Sequence, residues 1–178
     1  GWLQVSHFFP QLKVIAGLRY DRFSLIEKKN AWSPRVAVEY SLNNLTSIKG
    51  SVGFYHQAPS YIWTVSNERN RELEYIQVMQ YIMGVEHLLR DDTRMNVELY
   101  YKDYDKYPAS LTRPYLVLAN TGGGFGGAQE GFESFGLDPL VSDGTGSSRG
   151  VELSIQKKLS DVPAYGIMSV TYNQTNFT

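Results

Sequence analysis

RMNVELYYKDYD, residues 94–105, is the stretch whose reading decides the fold class. Met95, Val97, Leu99 and Tyr101 fall on one parity, and Arg94, Asn96, Glu98, Tyr100, Lys102 and Tyr104 fall on the other. A period of two belongs to an extended strand whose successive side chains point to opposite faces. One face is apolar and the other polar and charged. The open question is what the apolar face touches: a protein core, or lipid.

The same alternation recurs along the chain. Segment 11–25 sets Val14, Ala16, Leu18 and Tyr20 against Arg19 and Asp21, and segment 35–42 sets Val36, Val38, Tyr40 and Leu42 against Arg35, Ala37, Glu39 and Ser41. Segments 46–56, 76–89 (broken by Ile82), 149–159 and, more weakly, 164–174 repeat it, and a short run lies at 1–8. That predicts eight strands. Helical periodicity persists nowhere beyond two turns, so the expected class is all-β.

Composition narrows the possibilities. The chain has 178 residues and a net charge of -1, with a mean hydropathy of -0.32. Bulk charge therefore argues against a nucleic-acid partner. Its longest apolar runs, residues 14–18 and 115–119, fall far short of the about 18 residues of a membrane-spanning helix. Aromatic residues make up 13% of the chain, with 13 Tyr, which suits strands and interfaces. The absence of Cys removes disulfides and thiol chemistry and leaves the redox compartment open. The chain opens on Gly1 and ends on Thr178 without start or stop features, as a piece of a larger product would.

The connections are of two kinds. Phe9–Gln11, Asn43–Leu45, Arg90–Asp92 and Ser160–Pro163 are short and rich in turn formers. Between them lie longer links at 26–34, 57–75 and 107–148. Short turns alternating with long loops are the pattern of an up-and-down outer-membrane barrel, and the strands match the about 9–11 residues that cross a bilayer when tilted. In such a barrel Arg19, Glu39, Lys49, Glu86, Arg94, Glu98, Lys102 and Glu152 face a polar lumen. Trp32, Tyr55, Trp63, Tyr104, Tyr107 and Tyr172, near strand ends, are candidates for an interfacial aromatic girdle. A complete small eight-stranded barrel acting as anchor or adhesin, and a soluble β ligand-binding module, remain alternatives at this point.

Five segments carry a resemblance: GLRYD (17–21), SPRVAVEY (33–40), FYHQAPSY (54–61), YIMGVEHLLRDDTRMNVELYYKDYD (81–105) and SRGVELSIQKKLSD (148–161). In this order they resemble barrel segments of TonB-dependent outer-membrane receptors, over most of the chain. The resemblance implies about eight antiparallel strands of a 22-stranded transmembrane barrel, in the outer membrane of a Gram-negative type bacterium. It also implies uptake of a nutrient such as a siderophore-type small molecule or metal chelate, with membrane lipid, the receptor's own plug domain and, through the plug, TonB as partners. No plug domain is recognised within 1–178. The long loops 57–75 and 107–148 are then extracellular. Trp63, Arg69, Arg71, Arg113, Tyr115, Phe125 and Asp143 are the candidate ligand contacts, adhesive side chains in loop surroundings. Cut from a larger barrel, the segment is expected to self-associate through its open edges.

Other motifs have plainer readings. Gly122, Gly124 and Gly127 spell G-x-G-x-x-G, but the residues after them, broken by Gly131 and Gly136, cannot supply the helix that holds a pyrophosphate. Asp138, Asp143, Gly144 and Ser147 fit no EF-hand spacing. His7, His56 and His87 have no partners at zinc-ligand spacing, and Glu86 with Glu98 is explained by the polar strand face. No Gly-x-Ser-x-Gly elbow is present. The sequence therefore predicts no catalytic set, no metal site and no cofactor.

Overall fold

Among the described residues eight strands form, in one antiparallel sheet. They are β1 (Trp2–Phe8), β2 (Leu12–Arg22), β3 (Asn30–Ser41), β4 (Thr46–Gln57), β5 (Ile76–Arg90), β6 (Thr93–Ser110), β7 (Leu140–Lys157) and β8 (Gly166–Phe177). The computed structural model describes residues 1–112, 117, 139–161 and 163–178. Each strand pairs with its neighbours in sequence, in the order β1 to β8, so β1 and β8 are the edges of an open sheet. Hairpin connection of every pair is what makes the topology up-and-down.

The ladders show which residues share a face, because directly opposed residues in an antiparallel pair point the same way. One row crosses the whole sheet: Phe8, Lys13, Glu39, Lys49, Gly84, Glu98, Glu152 and Thr171. A neighbouring row runs His7, Val14, Val38, Gly50, Met83, Leu99, Val151 and Tyr172 on the opposite face. The period read in residues 94–105 thus extends sideways through eight strands.

Among the described residues, no protein layer covers the apolar face. Val36, Val38, Tyr40, Tyr81, Met83, Leu99, Tyr101, Val170 and Tyr172 are all exposed, Met83 at 58% and Leu99 at 54%. Fully burying a Val, Leu, Phe or Met side chain is worth about 1.5–3 kcal/mol. Among the described residues, buried apolar side chains form two small clusters at the long-link end, Trp63 with Leu73 and Leu140, and Ile26 with Ala31 and Tyr75, with Ile76 and Ala109 buried outside them.

The connections differ from the sequence reading in extent. β3 begins at Asn30 and runs through Pro34, so the first long link is 23–29. The second contains a helical turn, α1 (Tyr61–Ser66), and a 3-10 turn (Glu68–Glu72). The third is shorter than 107–148, because β6 continues to Ser110 and β7 starts at Leu140. Pro108 and the glycines of 144–150 resemble strand breakers in sequence. They are accommodated by register shifts between Tyr104 and Ala109 and by close partners. A Cβ at Gly144 would lie 2.8 Å from the Tyr107 carbonyl, and one at Gly146 would run into the Phe177 ring. At 18 residues each, β6 and β7 exceed the about 9–11 residues a bilayer requires.

Candidate functional site: a loop layer above a polar sheet face

All eight residues expected on the polar face lie on one face of the sheet. Arg19 opposes Ser33, Glu39 opposes Lys49, Glu86 opposes Asn96, Arg94 opposes Gln156, Lys102 opposes Ser148 and Glu98 opposes Glu152. Their charges are tied locally. The Lys49 ammonium sits 2.8 Å from Glu86 and 3.9 Å from Glu39. Arg94 donates to Gln156 Oε1 from Nε at 3.0 Å, Asn96 to Glu98 at 2.8 Å, and Arg19 pairs with Asp21 at 2.8 Å. This wall is polar and of mixed charge: Lys49 and Arg19 are ion-paired, while Glu98 and Glu152 oppose each other across the ladder.

Glycines on that wall sit under larger side chains. A Cβ at Gly17 would meet Arg35, one at Gly84 would meet Glu98, and one at Gly150 would meet Tyr100, in each case the residue directly across the ladder. The long side chains therefore lie along the wall.

The long links meet above this face. Asn70 is wholly buried; its Nδ2 donates to the Trp63 carbonyl at 2.8 Å, and its Oδ1 accepts from the Leu140 amide at 2.7 Å. The Glu74 carboxylate is paired with both Lys28, from the 23–29 link, and Lys106, from β6. The Glu74 amide donates to Ser142 Oγ of β7 at 2.9 Å, and the Glu27 amide to the Arg71 carbonyl at 2.9 Å. Hydrogen bonds from Lys106, then from Lys28, hold the Glu74 carboxyl below the usual carboxylate range. Burial pushes the Tyr75 phenol up; its hydroxyl donates to the Lys29 carbonyl at 3.0 Å.

Of the candidate ligand contacts, Arg69 and Asp143 line one cleft, with Leu73, Leu111, Leu140 and Ser142 between them. Arg71 is exposed on the same 3-10 turn. Trp63 is 3% exposed and packs inside the layer, so its ring meets neither the cleft nor the outer surface. Arg113, Tyr115 and Phe125, like the glycine motif, lie outside the described residues. Asn70, Glu74, Lys28 and Lys106 went unrecognised in the sequence. Their partners lie up to 70 residues away, and no local period marks such a contact.

The aromatic girdle needs correction at three positions, Trp63, Tyr104 and Tyr55, the last of which shares a row with Tyr104 through Val78. Trp63 is buried in the layer, while Tyr104 shares the polar face with Lys102 and stacks on Phe177 and Tyr107. Parity is the reason: Tyr104 falls on the charged side of residues 94–105. Trp32 and Tyr172 are exposed, and Trp32 packs on Tyr20 with ring centroids 4.7 Å apart. His56 Nδ1 lies 3.1 Å from Ser33 Oγ, and His87 Nδ1 lies 2.8 Å from Thr46 Oγ1. Among the described residues no group of three His, Asp or Glu could hold a metal ion.

A family model described as TonB dependent receptor-like, beta-barrel matches residues 1–178. The chain belongs to the TonB-dependent receptor family. Solved structures with the same fold include the FrpB iron transporter of Neisseria meningitidis. Its F3-3 variant aligns with a TM-score of 0.66 and 11% identity over 99% of this chain, and the F5-1 variant apoprotein with 0.67 and 12%, also over 99%. The siderophore receptor PirA of Pseudomonas aeruginosa aligns with 0.68 and 15% identity over 98%. The chain spans 25% of either FrpB structure and 33% of the PirA structure. No curated protein matches it in sequence. The open eight-stranded sheet is thus a run of barrel wall from a TonB-dependent receptor.

Proposed function

We propose that this chain forms part of the wall of an outer-membrane receptor that takes up a small nutrient, a siderophore-type molecule or metal chelate, with energy passed through a plug domain from TonB. The observation that carries the reading is the arrangement of the two faces. The apolar face is uncovered, as contact with lipid requires. The opposite face is a polar wall of mixed charge, and the long links fold together above its end. In this reading the polar face lines the lumen and the long links are extracellular. Arg69, Arg71 and Asp143, with Arg113, Tyr115 and Phe125, contact the ligand. Trp63 supports the layer from within. Mixed charge suits a ligand held by several weak contacts, and nothing in the wall calls for chemistry on the cargo.

The test uses the full receptor in a strain lacking its other iron-uptake receptors, supplied with a panel of ferric siderophores at limiting concentration. Arg69→Ala with Asp143→Ala, or replacement of residues 113–138 by a short Gly-Ser linker, should leave the barrel folded and reduce uptake of at least one panel member. Undiminished uptake of every panel member that wild type imports, in both variants, would remove the loop assignment. No import of any member by wild type would remove the siderophore class.

A further inference from the structure

Exposed loops of an isolated barrel wall are usually pictured as separate arms. Here two connections and strand β6 are joined at one carboxylate. Glu74 stands at the end of the 58–75 link, 46 residues from Lys28 and 32 from Lys106, yet both ammonium groups reach it. Its own amide is fixed to Ser142, so the link is held against β7 as well.

Most ion pairs between exposed side chains contribute little, and three features set this one apart. One carboxylate serves two cations from different elements. The Lys106 arm is sheltered, its side chain 27% exposed against 66% for Lys28. Finally, Lys106 has a backbone φ of 60°, the left-handed region that side chains other than glycine seldom adopt. It sits where the β6–β7 register shifts between Tyr104 and Tyr107, and bulges of this kind re-aim a side chain. A strained backbone persists where its surroundings over-determine it. At Lys106 the strain brings the ammonium onto Glu74.

We propose that Glu74, held by Lys106 and Lys28, is a positioning residue that latches the 58–75 link onto β6–β7 before any ligand arrives. The latch sets the separation of Arg69 and Asp143 across their cleft. Its bearing on ligand capture rests on the uptake reading above; the latch itself does not. Asn70 closes the far end of the strap through Leu140 and Trp63, so Glu74 controls the end nearest Lys106. Lys28, largely in solvent, is the weaker arm.

The test measures a distance without ligand. In the full receptor, with cysteines elsewhere removed, nitroxide labels replace Glu68 on the 3-10 turn and Asp105 on β6, and pulsed electron resonance reads their separation. A single narrow distribution is expected for wild type. Glu74→Lys should broaden it, Lys106→Ala should broaden it more than Lys28→Ala, and inversion of all three charges (Glu74→Lys, Lys28→Glu, Lys106→Glu) should narrow it again. Mere loss of packing would not be repaired by inversion. A broad wild-type distribution, a narrow one in Glu74→Lys, or no recovery on inversion would each overturn the latch. A latch that holds while wild type imports no ferric siderophore would remove the siderophore class and leave this one standing.

Discussion

The hydroxyl of Tyr100 lies where a side chain on Gly150 would begin. The two residues oppose each other across β6 and β7, and a Cβ at 150 would come within 2.6 Å of the Tyr100 oxygen and 2.7 Å of the Tyr172 carbonyl. The ring can swing away, but the carbonyl belongs to the β7–β8 ladder and cannot. Gly150→Ala should therefore destabilise the barrel by about 1–3 kcal/mol, the usual cost of overpacking. Adding Tyr100→Ala should recover only the part due to the ring. Thermal unfolding of the full receptor, followed by its change in gel mobility, measures this; an unchanged midpoint in Gly150→Ala would contradict the packing described.

Val97 and Glu98 test which face meets lipid. Val97 opposes Val85 and Leu153, whereas Glu98 opposes Gly84 and Glu152. In the intact receptor freed of other Trp residues, one Trp placed at 97 should be strongly quenched by brominated acyl chains, and one at 98 only weakly. Equal quenching at both sites would remove the lipid-facing assignment. Val97→Arg should cost about 2–4 kcal/mol if the residue lies near the bilayer midplane, and Glu98→Arg far less.

Acid should release the loop layer through Glu74. Its folded-state pKa lies below the ordinary carboxylate value, because Lys106 and Lys28 donate to the charged form. The stabilisation is then fully present above the unfolded value, about 4.3 for Glu, and is lost as pH falls through the lower folded value. An acid-active protease should begin to cut within residues 66–73 of the full receptor only below that point. Glu74→Gln should also be cut within the same residues at neutral pH by a neutral-active protease that spares wild type. Resistance of the variant at all pH values would deny Glu74 this role.

Isolated residues 1–178 should associate or require detergent. β1 and β8 end the sheet without pairing to each other, and unpaired edges invite other chains. The uncovered apolar face adds a contiguous surface that promotes association. Light scattering in dilute buffer would settle this, and a detergent-free, monodisperse monomer would count against the membrane reading.

What the sequence determined on its own is local. The alternation in residues 94–105 and its repeats specify strands, their number and the face each side chain takes, since a period of two is a property of one extended segment. The order of short and long connections then specifies an up-and-down sheet, because a short turn leaves only the adjacent strand within reach. The tertiary structure decided the rest. β6 and β7 run past Pro108 and Gly144 because Pro108 falls in a shift of register between Tyr107 and Ala109, and Gly144 pairs with Tyr107. Trp63 turns inward because Leu73 and Leu140 meet it. Glu74 is a junction because Lys28 and Lys106 arrive from elements far away in sequence. Such contacts are made by whichever strands become neighbours, and no spacing within a single segment encodes them.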